Sequence, residues 1–250
     1  MDEIIAGRNP VLEALRGQRE INRIVIAKGA REGSIKEIYA LAKERSIPVT
    51  EVERRYLDNV SPTPVHQGVL AWVAAKEYVE VEDILELARS RREDPLIVAL
   101  DGLEDPHNLG TIIRTAEATG VHGIIIPKRR AVPVTGVVAK ASAGAIEHVA
   151  VARVVNLVQT LKELKAAGCW VVGANVTASR LYYEANLTGP LVVVVGGEGR
   201  GVSRLVRETC DFLIKLPMLG QVNSLNAAVA ASVVLYEVVR QRSVQQLHSK

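Results

Sequence analysis

Residues 191–201 read Leu-Val-Val-Val-Val-Gly-Gly-Glu-Gly-Arg-Gly. The apolar run Leu191–Val195 predicts a strand that is buried on both faces, as the strands of a parallel sheet are. The four glycines among the next six residues allow a backbone to approach a ligand closely or to take positive φ. The stretch therefore predicts an α/β fold with a parallel sheet and a candidate ligand loop at the carboxyl end of one strand.

Similar apolar runs recur along the second part of the chain, and helical patterns separate most of them. Because such runs are apolar on both faces, helices should cover both sides of the sheet. Ligands of open α/β sheets bind beyond the carboxyl ends of the strands. The predicted strands are Leu96–Leu100, Gly123–Ile126, His148–Ala152, Cys169–Ala174, Leu191–Val195 and Phe212–Leu216, and the predicted helices are Asn108–Thr119, Asn156–Ala167, Val202–Glu208 and Ser224–Arg240.

The length of 250 residues allows one large domain or two modest ones. An acidic stretch divides the chain, and we interpret residues 1–75 as a small α/β domain, 76–94 as a linker with a solvated helix, and 95–250 as the second domain. The small domain is predicted to contain helices at Pro10–Arg16 and Ser34–Arg45 and strands at Ile21–Ala27, Val49–Val52 and Gly68–Val73.

Composition limits the possible functions. The net charge of +3 permits a polyanionic partner without requiring one, and the densest basic patch is Lys128-Arg129-Arg130, which could equally be a solvated turn. Nine aromatic residues are too few for recognition by rows of stacked bases. No stretch has the length and apolarity of a membrane span, and the acidic start is unlike a secretory signal, so we expect a cytoplasmic protein. Cys169 and Cys210 lack metal-ligand spacing, and no metal site is expected.

The glycine-rich loop at 196–201 matches neither of two common phosphate-binding loops. A Walker A loop requires Lys and then Ser or Thr after its last glycine, whereas Val202 and Ser203 follow here; a dinucleotide fingerprint follows the first strand of its unit, whereas this loop follows about the fifth. A flexible turn remains an alternative. Glu198 favours a ligand site, because a carboxylate is well placed there for a ligand or a helix N-terminus.

Two further loops carry polar side chains at the start of predicted helices. Asn108 stands where a cap would stand, and Arg114 lies off the apolar stripe of the same helix, so a plain cap and a solvated arginine are open alternatives. Ser224 and Asn226 precede the last long helix, where Asn223 or Ser224 could serve as a cap. No Gly-x-Ser-x-Gly elbow surrounds a serine, which disfavours a serine hydrolase.

Together the three loops resemble the signatures of the SpoU/TrmH-type RNA ribose 2′-O-methyltransferases, which are Asn-x-Gly with a following Arg, Gly-x-Glu-x-x-Gly, and Ser-Leu-Asn. Residues 7–15 and 66–69 also resemble the substrate-binding domain of the branch that methylates guanosine in large-subunit (23S) ribosomal RNA. The resemblance implies a C-terminal trefoil-knotted (SPOUT-type) α/β methyltransferase domain and an N-terminal α/β RNA-binding domain of the L30e/L7Ae-like kind. It further implies S-adenosylmethionine as cofactor, RNA as partner and a homodimer formed through the knotted domain.

The resemblance also suggests roles for individual residues. Arg114 would bind and polarise the ribose hydroxyl or its phosphate, Asn108 and Asn226 would orient the ribose and Arg114, Glu198 would hold the arginine or nearby amides, and Ser224 would hydrogen-bond at the same site. Residues that would contact the cofactor are Gly196, Gly197, Gly201, Leu216, Met218, Ser224 and Leu225, and residues that would contact RNA are Arg8, Asn9, Lys128, Arg129 and Arg130. A tRNA ribose methyltransferase and a non-catalytic RNA-binding protein are the alternatives.

Overall fold

A computed structural model describes residues 2–248. Its chain divides into two compact units. The smaller comprises residues 2–77, 109–114 and 133–148, and the larger comprises 78–108, 115–132 and 149–248. The elements in chain order are β1 (Glu3–Ala6), α1 (Arg8–Arg16), β2 (Ile21–Ala27), α2 (Ser34–Glu44), β3 (Val49–Val52), α3 (Arg54–Val60), β4 (Val69–Val73), α4 (Val81–Arg91), β5 (Leu96–Asp101), α5 (Pro106–Ala118), β6 (Gly123–Pro127), α6 (Gly136–Ala141), β7 (Ala150–Val154), α7 (Leu157–Ala166), β8 (Trp170–Ala174), β9 (Arg180–Leu181), β10 (Leu191–Gly196), α8 (Arg204–Thr209), β11 (Phe212–Lys215) and α9 (Ala227–His248).

The smaller unit contains a four-stranded sheet in the order β1-β4-β2-β3. Strand β4 is antiparallel to both β1 and β2, and β3 is parallel to β2. The turn before β4 contacts the start of α1, where the Arg8 N–H donates to Gln67 Oε1 at 2.9 Å and the Gly7 N–H donates to the Val69 carbonyl at 3.2 Å. The segments 7–15 and 66–69, recognised separately in the sequence, are therefore neighbours.

Two later segments of the chain complete the smaller unit, and a buried ion network anchors one of them. The guanidinium of Arg19 contacts Glu147 at 2.9 Å and Glu3 at 2.7 Å, and it also donates to the Ala74 carbonyl. At Gly136 two segments of the chain lie so close together that a Cβ on this residue would overlap the Ile4 carbonyl oxygen. The segment 133–148 is thus built into the small unit, although it comes from the second half of the chain.

The larger unit contains a seven-stranded parallel sheet in the order β7-β6-β5-β10-β8-β11-β9. The central strands β5 and β10 are paired in register from Leu191 opposite Leu96 to Gly196 opposite Asp101. Their apolar side chains are buried on both faces, which confirms the parallel α/β prediction. The carboxyl ends of β5 and β10 bring the loops after Asp101 and Gly196 together.

Helix α4 differs from its prediction as a solvated helix within a linker. Its Ile84 and Ala88 are buried, and Ile84 belongs to the core of the larger unit together with residues of β5, β6 and β10. At Gly123 a Cβ would collide with the Ile84 side chain. The prediction is therefore wrong for this face of the helix, because two apolar positions among many charged ones suffice to dock it.

Most predicted elements appear within two residues of their expected bounds, with instructive shifts. Strand β7 starts at Ala150 rather than His148, because a 3-10 turn at Ala145–Glu147 precedes it. Helix α8 starts at Arg204 rather than Val202, since the Ser203 N–H donates to the Asp101 carboxylate at 2.7 Å. Strand β1 and helices α3 and α6 had no counterpart in the sequence analysis. Within residues 2–248 no helix has the length and apolarity needed to cross a membrane.

Candidate active site

The loop at 196–201 folds tightly against the loop that follows β5. The Gly197 N–H donates to the Asp101 carbonyl at 2.9 Å, and the Gly201 N–H donates to the Gly197 carbonyl at 3.0 Å. A Cβ on Gly197 would overlap the Gly102 carbonyl oxygen, and one on Gly196 would overlap the Gly201 backbone. Glycine is therefore required at both positions by close backbone packing rather than by flexibility.

Three polar side chains meet beside this loop in the larger unit. The Asn108 amide donates to Glu198 Oε1 at 2.6 Å, and the Asn226 amide donates to the same oxygen at 3.0 Å and to Asn108 Oδ1 at 2.9 Å. We call these residues the Asn-Glu-Asn cluster. They come from all three sequence motifs, so the fold brings together the three predicted loops.

The capping interactions of α5 and α9 explain why both asparagines are available to Glu198. Helix α5 is capped by Asp105, which accepts the His107 N–H at 3.0 Å, so the interpretation of Asn108 as a plain cap is wrong. Asn226 is the residue that caps α9, because its Oδ1 accepts the Ala228 N–H at 2.9 Å while its Nδ2 donates into the cluster. The alternative caps, Asn223 and Ser224, both precede it in the chain.

A first cavity, of about 300 Å³, lies beside the glycine-rich loop within the larger unit. The volume is at the lower end of the range for small-molecule sites, and Glu198 lines the wall. A close backbone approach and apolar surface suit the adenosine and methionyl parts of S-adenosylmethionine, so the residues present fit that cofactor. All residues predicted to contact the cofactor line this cavity, namely Gly196, Gly197, Gly201, Leu216, Met218, Ser224 and Leu225.

A second cavity, of about 780 Å³, lies on the other side of the same loop. Asn108 and Arg130 line it, whereas Glu198 and Arg200 line both cavities. The Asn-Glu-Asn cluster thus stands where the two cavities meet. This arrangement can hold a small molecule on one side and a polar substrate on the other, with the Glu198 side chain between them.

Arg114 takes a different position from the other predicted catalytic residues. It is exposed on α5, six residues after Asn108. Six residues of an α-helix correspond to about 9 Å along the axis and about 120° around it. Arg114 is not one of the residues that line either cavity.

The residues predicted to contact RNA fall into two groups. Lys128, Arg129 and Arg130 follow β6 and are exposed, and Arg130 has a positive φ of 57°. In the smaller unit, Asn9 is exposed, whereas the Arg8 side chain donates to the Gln67 carbonyl at 3.2 Å and therefore holds the turn before β4. Arg8 is in this respect a structural residue in addition to any contact with RNA.

Two basic residues that line the first cavity were missed from the sequence. Arg207 and Lys215 line the cavity, but isolated cations on a short helix and at a strand end form no motif that could reveal them. Burial raises the pKa of the Cys210 thiol to about 11 and also raises that of Cys169, so neither thiol is a ready nucleophile. Within residues 2–248 no group of three His, Cys, Asp or Glu side chains could hold a metal ion.

Comparison with known proteins shows the family of this chain. Residues 95–236 match the model of the SpoU rRNA methylase family, and residues 4–79 match that of the RNA 2′-O ribose methyltransferase substrate-binding domain. YacO of Bacillus subtilis, named as a TrmH-family tRNA/rRNA methyltransferase, is 49% identical over 241 residues, which cover 96% of each chain.

Solved structures with bound cofactor are similar over nearly the whole chain. The SpoU methyltransferase AviRb from Streptomyces viridochromogenes in complex with AdoMet has a TM-score of 0.81 and 26% identity, and covers 97% of this chain and 91% of its own. The AdoMet-bound rRNA methyltransferase from Sinorhizobium meliloti has a TM-score of 0.79 and 26% identity, and covers 96% and 87%.

The family match and the similarity to structures with bound AdoMet show an RNA methyltransferase that uses S-adenosylmethionine. The chain belongs to the SpoU/TrmH family of RNA 2′-O-methyltransferases. The family therefore supports an enzyme rather than a non-catalytic RNA-binding protein.

Proposed function

We propose that the protein methylates the ribose 2′-hydroxyl of a guanosine in large-subunit (23S) ribosomal RNA and acts as a homodimer. The observation that carries the proposal is the Asn-Glu-Asn cluster, in which Glu198 Oε1 accepts amides from Asn108 and Asn226 at 2.6 and 3.0 Å. The cluster stands between a cavity that suits the cofactor and a second cavity large enough for part of a nucleotide.

For this methyl transfer the enzyme must mainly orient the two reactants, because the leaving group needs little activation. When bound, S-adenosylmethionine supplies an electrophilic methyl group on a sulfonium, which leaves readily without a metal. The chain must then align a weakly acidic ribose hydroxyl with that methyl group. Asn108 and Asn226 would fix the position of Glu198 and present their remaining hydrogen-bonding capacity to the ribose. Glu198 would hold its amide partners and place negative charge near the sulfonium.

Arg114 would polarise the hydroxyl or contact its neighbouring phosphate, because a guanidinium keeps its proton at physiological pH and is a poor base. Its place on α5, away from both cavities, favours action on a second copy of the chain. In the homodimer, each site would combine the Asn-Glu-Asn cluster of one subunit with Arg114 of the partner subunit. Val229 and Tyr236 are exposed apolar side chains seven residues apart on α9, and they would contribute to such a dimer contact.

The strand order is compatible with the proposed trefoil knot. Strand β10 lies between β5 and β8, and β11 lies between β8 and β9, although each inserted strand follows both neighbours in the sequence. Unknotted α/β sheets also contain inserted strands, so the proposal of a knot, which ordinary folds avoid, rests on membership of the SpoU family. As functional assignments we propose an RNA-binding part at 1–75, a connecting stretch at 76–94 and a methyltransferase part at 95–250, although the compact units divide the chain differently. The cytoplasmic location is likewise a proposal.

Ribosomal RNA is favoured over tRNA as substrate by similarity. The Sinorhizobium meliloti structure, which covers 96% of this chain, is that of an rRNA methyltransferase, and residues 4–79 match a substrate-binding domain. The name of YacO includes both RNA classes, so tRNA is the second candidate. In either case Arg8 and Asn9 would contact RNA from the small unit, and the exposed Lys128, Arg129 and Arg130 would contact phosphates.

The test uses the full-length chain, tritiated S-adenosylmethionine and separated RNA classes prepared from cells that lack the enzyme. Label in 23S rRNA at a single site supports the proposal, and label only in tRNA selects the second candidate. Absence of label in every RNA class, with wild-type cofactor affinity demonstrated in parallel, would overturn the proposed activity.

A further inference from the structure

Two basic side chains line the first cavity without belonging to any of the three sequence motifs. Arg207 lies on α8 and Lys215 is the last residue of β11, and both are half-buried. Neither has a carboxylate within ion-pair distance among residues 2–248. By contrast, Arg204 on the same helix is exposed and pairs with Glu208 at 3.7 Å.

The charges in this cavity do not balance. Glu198 is the one acidic residue among the described side chains that line it, against Arg200, Arg207 and Lys215. The carboxylate of Glu198 is already engaged, because one of its oxygens accepts amides from Asn108 and Asn226. The cavity therefore has an excess of positive charge that suits an anionic group of its ligand.

We propose that Arg207 and Lys215 bind the α-carboxylate of S-adenosylmethionine and so select cofactors that carry it. The inference rests on the assignment of the first cavity to the cofactor. The α-carboxylate is the anionic group of this cofactor, and in a partly buried site a cation pairs with it under weaker screening than at the surface. The pair of cations would orient the methionyl part of the cofactor and leave Glu198 for the sulfonium.

An RNA phosphate is the competing anion, and the lining of the two cavities argues against it. A residue that served the RNA should reach the second cavity, as Arg130 and Arg200 do. Arg207 and Lys215 line the first cavity alone. Because both residues line only the cavity assigned to the cofactor, the cofactor's α-carboxylate is the anion that they are placed to bind.

The experiment compares three ligands by calorimetry on the full-length wild type, Arg207→Gln and Lys215→Gln. The ligands are S-adenosylmethionine, decarboxylated S-adenosylmethionine and 5′-methylthioadenosine, which lacks the amino-acid part altogether. We expect each substitution to weaken binding of S-adenosylmethionine by about ten-fold or more, since hydrogen bonds to charged groups have this value. Binding of the other two ligands should change by less than about two-fold, because neither presents a carboxylate.

Arg204→Gln is the matched control, and it should bind all three ligands like the wild type. Equal weakening of all three ligands by Arg207→Gln would show a general defect of the cavity and overturn the inference. Unchanged S-adenosylmethionine affinity in both variants would overturn the inference as well, and weaker binding of an rRNA fragment by the same variants in a filter-binding assay would then assign the cations to phosphate. Failure of the wild type to bind S-adenosylmethionine or 5′-methylthioadenosine would instead overturn the assignment of the cavity itself.

Discussion

Asn108 and Glu198 are joined by a 2.6 Å hydrogen bond although 90 residues separate them in the sequence. Asn108 is buried on the first turn of α5, and Glu198 is exposed in the loop after β10. The bond exists because β5 and β10 are adjacent and parallel, so the elements that follow both strands start at the same edge of the sheet. The pairing of β5 with β10 therefore determines where the Glu198 carboxylate lies in the site.

Removal of the Asn108 amide tests the role of this pair. We expect Asn108→Ala to lower methyl transfer by about 100-fold while the Kd for S-adenosylmethionine changes little, because Asn108 lines the second cavity and not the first. Single-turnover transfer and calorimetry measure the two quantities. Asn156→Ala, which removes the cap of α7, is the control that should affect stability alone. A parallel loss of cofactor affinity in Asn108→Ala would make Asn108 a support of the cofactor cavity.

The proposed role of Arg114 predicts a large loss of activity when its guanidinium is removed. Arg114→Ala should lower methyl transfer by orders of magnitude, since such electrostatic contacts contribute roughly 3–4 kcal/mol, with cofactor affinity unchanged. Arg89→Ala, at an exposed position of α4, is a control that should leave the rate unchanged.

Mixed dimers distinguish action within one subunit from action between two. Co-expression of Arg114→Ala and Asn226→Ala chains with different tags yields a heterodimer with one complete site if Arg114 acts on the partner, and its activity should approach about half of the wild-type value. A heterodimer as inactive as either parent would place both residues in the site of one chain.

The close packing of Gly197 predicts a strong effect of a single methyl group. Gly197→Ala should lower the free energy of unfolding by about 1–3 kcal/mol and weaken cofactor binding, because its Cβ would overlap the Gly102 carbonyl oxygen. Gly220→Ala is the matched control, since a Cβ there meets no atom within 4 Å. Urea denaturation and calorimetry measure both effects. Equal stability of the two variants would refute the claim that close backbone packing requires glycine at position 197.

A buried histidine predicts how stability depends on pH. Burial lowers the pKa of His122, and its Nδ1 accepts the Leu96 N–H at 3.0 Å, which requires that nitrogen to be unprotonated. The unfolded chain takes up the proton near the ordinary pKa of about 6.5, whereas the folded chain does so at lower pH. The stabilising contribution of the neutral ring is therefore complete above about pH 6.5 and is lost as the pH falls toward the folded pKa.

The variant His122→Asn isolates this contribution, because Asn can still accept the Leu96 N–H and does not titrate in this range. Urea denaturation at fixed protein concentration, at pH values above and below 6.5, should show a steeper loss of stability in the wild type than in the variant. Identical slopes would show that His122 does not control the acid sensitivity.

Sequence patterns anticipated the parallel sheet and the three loops because buried strands and glycine-rich turns have strong local signals. Leu96–Leu100 and Leu191–Val195 are apolar throughout, and both became central strands. Strand β1 and helix α6 were not anticipated. Four to six residues give a weak periodic pattern, which sufficed for β3 after Pro48 and for α8 after the glycine-rich loop but not for these two elements. Local sequence also could not reveal that residues 133–148 join the smaller unit, because that depends on distant partners such as Arg19 and Ile4.

Within the site, the residue types were anticipated better than their interactions. Asn108 and Asp105 are both residue types that cap helices, so the sequence left the cap of α5 open. The structure shows that Asp105 is the cap and that Pro106 takes the first helical position. Glu198 was expected to hold the arginine or nearby amides, and which of these it holds is decided by the three-dimensional packing of two helices and one loop, which places the Asn108 and Asn226 amides beside it.

The most direct measurement of the central claim is nucleoside analysis of 23S rRNA methylated by the purified protein. RNA from cells that lack the enzyme is incubated with S-adenosylmethionine, digested to nucleosides and analysed by mass spectrometry, and the site is mapped by resistance of the ribose-methylated linkage to alkali. The account predicts one additional 2′-O-methylguanosine at a single position, and none with the Arg114→Ala protein. A methyl group on a base atom, or no methyl transfer to any RNA by a protein that binds the cofactor, would contradict it.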